Sequence, residues 1–321
     1  MHRYRAVVGG VVALAFAMAG AGPTSAFATA GAGPAPVFGA RVVAHFDLSK
    51  KQQPENIVVE PDGALDLSFA PARQVVRLGR GGEIRVLATL QAPAAPATPV
   101  LGVPFLTGLV RTSDGTLYFG YNTGTADLTG LWRLTRGGDL RRIVALPPDG
   151  LSNGLALDER AGELYVADSV LGTVWRAPLG GGSPVAWVSD PALRPAGFLG
   201  ADGIKVHNGA VWVSNLDKGT ILRIPIRSDG TAGTLRTVIS GLTGPDDFNF
   251  VGRGDWMLLA LVLPSEVALV APGHAPTIVL TAQDGLSNPD SIGIRGDTFY
   301  VPSGAFLTMK DPNLLVAHLR D

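Results

Sequence analysis

The chain has no cysteine in 321 residues, so no disulfide staples it and no thiolate serves as nucleophile or metal ligand. Histidine is scarce as well: His45, His207, His274 and His318 are scattered along the sequence, which argues against a conventional zinc site. Charged residues make up only 17 % of the chain and the formal net charge is −1. No basic patch stands out, so nucleic acid is not an expected partner. The sequence also lacks a G-x-S-x-G elbow, a Walker-type phosphate loop, an H-E-x-x-H helix and an S-x-x-K pair. After the first 30 residues no apolar run approaches the roughly 20 residues of a membrane span, so no transmembrane segment is expected in the mature chain.

The N-terminus has a character of its own. Arg3 and Arg5 precede an uncharged apolar run, Ala6 to Ala21, followed by the small-residue sites Ala26-Phe27-Ala28 and Ala28-Thr29-Ala30. This is the layout of a secretory signal peptide over residues 1–30, with cleavage near Ala28 or Ala30. Residues 31–39 then form a flexible leader, and residues 40–321 a single domain. The expected location is secreted, extracellular or periplasmic. Losing Arg3 and Arg5 takes the net charge to about −3. A mature chain of about 290 residues is long enough to be stabilised by a large core without disulfides.

The 42 glycines and the many short apolar runs fit an all-β domain rich in turns. Six hairpin units recur: IVVEPDGALDLSF from Ile57, LVRTSDGTLYF from Leu109, LALDERAGELYV from Leu155, IKVHNGAVWV from Ile204, FNFVGRGDWMLLA from Phe248 and IGIRGDTFYV from Ile292. Asp62-Gly63, Asp114-Gly115 and Asn208-Gly209 are hairpin turns, since glycine accepts the positive φ such turns need. A third strand follows in every unit, and a fourth in the first five. The sixth unit lacks a fourth strand, and ARVVAHFDL (residues 40–48) is an unpaired one at the opposite end of the chain. The residues just before the first strands are Glu55, Thr107, Asn153, Asp202, Asp246 and Asp290, at steps of 52, 46, 49, 44 and 44. Four-stranded units at this period predict a six-bladed β-propeller whose last blade is closed by the N-terminal strand.

In a propeller the first strand of each blade lies nearest the axis, so these six residues should ring one end of the central channel. Four are acidic, with Asp247 an alternative to Asp246 if the register there is off by one. Carboxylates about 5 Å apart repel by roughly 3 kcal/mol at an effective dielectric near 20. Such a cluster holds protons, spreads into solvent or binds a cation. Oxygen donors alone favour a hard ion, Ca²⁺ before Mg²⁺. The competing explanation is that Asp and Asn before a strand simply turn the chain.

The spacing of Glu55, Asn153 and Asp202, with SNGLALD at Ser152 and ADGIKV at Ala201, resembles the gluconolactonase and senescence-marker-protein (regucalcin) family over essentially the whole mature chain. The resemblance implies a divalent metal, usually calcium, held by Glu55, Asn153 and Asp202, and hydrolysis of lactones or related esters. One segment departs from it. Where that family carries Asn-Asp-Gly with an upstream Arg, this chain has PFLTG, with Leu106 and Thr107 in the Asn and Asp places. That favours an apolar or otherwise different substrate over a sugar lactone.

On this reading Asp202 is both ligand and general base, with Asp290 or Asp246 as alternative bases. Thr107, Asn122 and Asn215 are candidate substrate contacts. The loops after the second strands, which also carry Tyr121, Asp168 and Phe306, are expected on the same face. The segments Gln91 to Pro104 and Gly304 to Asn313 are candidates for a lid, for packing or for a linker. The leading expectation is a Ca²⁺-dependent hydrolase of a small-molecule lactone or ester. The alternative is a non-catalytic extracellular binding propeller with a structural metal.

Overall fold

The computed structural model describes residues 36–320; the expected signal peptide and most of the leader lie outside the described residues. Six four-stranded antiparallel sheets form the six blades of a β-propeller. In blade 1 the strands run Pro54–Val59, Leu65–Phe69, Gln74–Leu78 and Ile84–Thr89, from the inside outward. Blades 2 to 5 repeat this order, with inner strands at Phe105–Arg111, Ser152–Asp158, Ala201–His207 and Pro245–Phe250. Blade 6 comprises Gly293–Arg295, Thr298–Ser303 and Asn313–Leu319, and its outermost strand is Val37–His45 from the other end of the chain.

That closure runs from Val37 opposite Leu319 to His45 opposite Asn313, and it pairs the sheet edge that blade 6 would otherwise leave open. The closing strand begins at Val37, three residues inside the stretch expected to be leader. A bulge between Phe38 and Arg41 breaks its alternation, so the sequence pattern shows only the part beyond it.

Strands buried on both faces read as continuous apolar runs, and the cores here lie between blades. Trp212 and Ile221 of blade 4 pack on Phe248 and Leu259 of blade 5. Leu258 and Val267 of blade 5 meet Phe299 and Leu315 of blade 6. Phe46, Leu67 and Phe69 join blade 1 to Leu314 of blade 6, sealing the circle. Each fully buried side chain of this size contributes about 1.5–3 kcal/mol by leaving water, so the ring is held mainly by its between-blade packing.

The inner strands share one irregularity. In blade 5, Pro245 pairs with Leu261 but Phe248 with Leu259, three steps on the inner strand against two on its partner. The same extra residue occurs at Leu106/Leu109, Ser152/Leu155, Ala201/Ile204 and Pro54/Asn56. In blade 6 the inner strand is interrupted between a single bridge at Pro289 and the ladder at Gly293. A bulge re-aims side chains at the point where it occurs. Five of the six column residues therefore lie within their inner strands, at the bulge, rather than just before the strand as expected.

Candidate active site at the channel mouth

Five bulges, and the interrupted inner strand of blade 6, place Glu55, Thr107, Asn153, Asp202, Asp246 and Asp290 at equivalent points of six successive blades. The position that follows each is small in the middle of the series, and Gly203 shows why. A Cβ there would stand 2.5 Å from Cα of Asp247 and 2.7 Å from the carbonyl oxygen of Asp246. Neighbouring inner strands approach too closely for a side chain, which accounts for the Asn-Gly and Asp-Gly pairs at these sites. The following residue of blade 5, Asp247, turns down into the channel. Lys205 Nζ lies 2.5 and 2.7 Å from its two oxygens, and Ser291 Oγ donates to it at 2.8 Å. Asp246 is thus the member of the ring and Asp247 is part of a channel ion pair.

Four carboxyl groups of the ring sense one another. Burial pushes Glu55 well above the usual carboxylate range, and the charges of Asp290, Asp202 and Asp247 add to this while Lys205 opposes it. Asp202, 2 % exposed, is raised by burial first and then by Asp247 and Asp217. Asp246 keeps some surface in contact with solvent, yet its dense surroundings raise it too, followed by Asp202, Asp290, Glu55 and Asp247. Asp290 is raised by burial although Gly304 N donates to its Oδ2 at 2.5 Å.

A comparison within the molecule gives these shifts their meaning. Toward the other end of the blade 1 strands, buried Glu60 and Asp66 are supplied with cations. Arg77 Nη2 lies 2.5 Å from Glu60, Arg77 Nε 2.8 Å from Asp66, and Arg111 Nε 3.0 Å from Glu60. Among the described residues, no such ion pair reaches Glu55, Asp202, Asp246 or Asp290. Asp202 Oδ2 is buried and has no hydrogen-bond partner. For Glu55 the ring offers only a long contact, 3.5 Å from Ser68 Oγ.

Among the described residues no three His, Cys, Asp or Glu side chains converge tightly enough to hold a metal ion. The expected ligand set has only two residues of that kind, Glu55 and Asp202, with the amide Asn153 as the third. Asn153 Nδ2 donates to Ser169 Oγ at 3.2 Å, so its nitrogen is engaged with the protein and its carbonyl oxygen is the group left to act as a donor. An all-oxygen set with an orphaned buried carboxylate oxygen suits a hard divalent cation.

The three candidate substrate contacts have other duties. Thr107 Oγ1 donates to the Ser152 carbonyl at 2.6 Å. Asn122 accepts from Ser152 N and Oγ and donates back to its carbonyl, bracing blade 2 on blade 3. Asn215 donates to the Ala192 and Arg194 carbonyls and accepts from Lys218 N. Asn122 and Asn215 end second strands and are fully buried, so they are not the open loop residues the sequence pattern implied. Asp168 is similar: its Oδ1 accepts from three backbone amides and its Oδ2 from Trp175 Nε1.

Apolar groups flank the ring, and sequence patterning did not group them. Leu151, Leu199, Leu216 and Val262, each close to a ring residue or at the end of its partner strand, form one buried cluster joined by Leu101, Val170 and Phe198. Elsewhere on this face the Phe306 ring meets that of Phe105 at 5.4 Å between centroids. Phe306 reaches the acidic ring as well, since it and Asp290 both crowd Gly304.

No family model matches the sequence, and no curated protein does. Solved structures match its fold. Virginiamycin B lyase from Staphylococcus aureus aligns at a TM-score of 0.58 and 15 % identity, over 88 % of this chain and 100 % of that one. The PQQ-bound aldose sugar dehydrogenase from Streptomyces coelicolor aligns at 0.62 and 13 %, over 90 % and 100 %. A luciferin-regenerating enzyme aligns at 0.62 and 10 %, over 87 % and 95 %. At such identities the likeness is one of fold, and it establishes the six-bladed propeller without singling out gluconolactonases.

Proposed function

We propose that this propeller is an exported, divalent-metal-dependent hydrolase of small lactone or ester substrates, working at the channel mouth. The observation that carries the reading is the contrast between the two acidic clusters. The chain neutralises Glu60 and Asp66 with arginines but gathers buried Glu55, Asp202 and Asp290 with half-buried Asp246 and supplies no arginine to them. Uncompensated burial of this kind costs stability and persists where a ligand or a reaction uses it. Glu55, Asn153 and Asp202 would hold the cation, Ca²⁺ by the hardness of the donors. When bound, such an ion polarises a carbonyl oxygen.

The residues of the chain supply the rest. Asp202 Oδ2, free of any hydrogen bond, accepts the proton of the attacking water and returns it to the departing alkoxide. Asp290 is held in place by the Gly304 amide, and Asp246 is open enough to exchange protons with solvent, so either serves as base if Asp202 is fully occupied by the cation. Burial raises all four carboxyl groups above the usual carboxylate range, the direction that acid–base work near neutral pH requires.

One observation favours the other reading, a binding propeller with a structural metal. The hydroxyl of Thr107 is spent on a backbone carbonyl, so at the ring position of blade 2 no side-chain proton is left to donate to a ligand. A panel of lactones and aryl esters, assayed with calcium and with chelator, separates the two. Chelator-sensitive turnover supports the hydrolase. Chelator-sensitive melting without turnover on any member supports the binding propeller.

A further inference from the structure

We infer that the substrate carries an alkyl or aryl tail, which lies on an apolar rim formed by Phe105, Phe306, Leu307 and Met309 beside the mouth. The inference rests on the mouth being the small-molecule site and names the chemistry that site selects. Gly304 is where rim and mouth join. A Cβ on it would stand 2.3 Å from Cε2 of Phe306 and 2.7 Å from Oδ2 of Asp290, so the phenyl ring and the carboxyl group share that one residue as neighbour. Phe306 then spans to Phe105, the residue preceding Leu106 and Thr107 on the inner strand of blade 2.

Beyond Phe306 the loop holds Leu307 and Met309 in water, at 40 % and 56 % exposure. They are not loose. Asn288 Oδ1 accepts from Leu307 N and Thr308 N at 3.0 and 2.8 Å, Ser287 Oγ lies 2.7 Å from Thr308 Oγ1, and Met309 N donates to the Ala305 carbonyl at 2.8 Å. Ala305 and Met309 have φ of +55° and +49°, a backbone state that side-chain-bearing residues adopt at a cost. A strained loop pinned by hydrogen bonds, with its apolar side chains facing outward, is a prepared surface. Another connection on this face, Gln91 to Pro104, contributes exposed Val100 and Val103 and contains no charged residue. The nearest charges along the 304–313 loop are Lys310 and Asp311 at its far end, where Asp311 is taken up by His45. A polyhydroxylated substrate would find few hydrogen-bond partners on this rim, whereas a hydrocarbon tail is matched throughout. A carbonyl head would face the acidic ring.

The test is a homologous series of γ-lactones with side chains from methyl to octyl, alongside a sugar lactone, using full-length mature protein in calcium. kcat/KM should rise two- to fourfold for each added methylene that reaches the rim, and the sugar lactone should be the poorest member. The double substitution Leu307→Ser with Met309→Ser leaves the pinning hydrogen bonds intact, since they use main-chain amides, Asn288, Ser287 and Thr308. It should lower the ratio of octyl to methyl kcat/KM at least tenfold. Hydrolysis without chain-length dependence, or an unchanged ratio in the double variant, overturns the inference and leaves the hydrolase reading standing. Calorimetric binding that tightens with chain length, weakens in the double variant and is not followed by turnover keeps the ligand class and removes the hydrolase. Neither binding nor turnover anywhere in the series removes both. A wild-type dimer by light scattering that the double substitution splits would assign the rim to a second copy of the chain, and that too overturns the inference.

Discussion

Replacing Glu55 by Gln tests the electrostatic reasoning at its base. The change keeps the shape of the side chain and an oxygen for Ser68 Oγ, but removes one of the ring's negative charges. In the wild type, Glu55 is felt by Asp246 and itself feels Asp290, Asp202 and Asp247. For two carboxylates about 7 Å apart at an effective dielectric near 20, ionising both costs roughly 2 kcal/mol, the scale taken for one such pair. The ring limits that cost by retaining protons, so removing one carboxylate should recover about the value of one pair, roughly 2 kcal/mol. With an unfolding entropy near 2 cal/mol/K per residue, that is about 3 °C in Tm for a domain of this size.

The sign depends on pH in a way that nonspecific stabilisation would not. All four carboxyl groups are raised in the folded state. Their contribution to stability is therefore fully present below the unfolded carboxylate pKa, about 4, and is lost as pH rises through the folded values. Thermal melts in chelator should show Glu55→Gln equal to wild type near pH 4 and about 3 °C above it near pH 8. Saturating calcium should reverse the order, because a ligand at a hundred times its Kd stabilises the protein that binds it by about 2.7 kcal/mol. A variant melting below wild type at pH 8 without metal, or gaining equally at both pH values, would show that the ring carries no mutual repulsion.

Further outcomes follow from the same geometry. Asp202→Asn should abolish lactone or ester turnover while the circular dichroism spectrum and chelated Tm stay at or above wild type; retained turnover removes Asp202 from the chemistry. Arg77→Met should destabilise by about 3–5 kcal/mol in urea melts, because it leaves Glu60 and Asp66 buried without their main cation, a sign opposite to that of Glu55→Gln. Gly304→Ala forces a methyl against Phe306 and Asp290 and should cost about 1–3 kcal/mol in the same assay, with a larger effect on turnover than on stability. Deleting the chain through His45 exposes the edge of Asn313–Leu319 and should convert the folded protein into aggregating material on size-exclusion chromatography; an unchanged elution profile would deny that the strand closes the ring.

The architecture was legible because it repeats. A hairpin such as Ala201 to Asn215 is ambiguous by itself, but six copies at similar spacing with one strand missing leave few arrangements open. The orphan strand at the N-terminus then had a single vacancy to fill, and the pairing of Val37–His45 with Asn313–Leu319 fills it. Boundaries were read less well where the ladder departs from alternation. The extra residue at each inner-strand bulge disguised the strand starts by three or four positions. Pairing across the bulge is a long-range fact that local patterning does not carry.

The site was legible only as far as the repeat reached. Register brought Glu55, Asn153, Asp202, Asp246 and Asp290 into one column, and it separated Asp246 from Asp247 only once pairing was known. Two kinds of information lay outside register. One is which polar residues are already spent: Asn122 and Asn215 look like open loop donors in sequence, yet both are consumed in bracing neighbouring segments. The other is what packs together on this face, since Leu101, Leu151, Phe198 and Val262 come from four connections unrelated in sequence and meet only in the fold. Surroundings decide the chemistry, because a ring of carboxyl groups in open water would ionise freely and need no cation. Buried and denied the arginines supplied to Glu60 and Asp66, the same ring must keep protons or take a cation, and the proposed hydrolysis requires the second of these states.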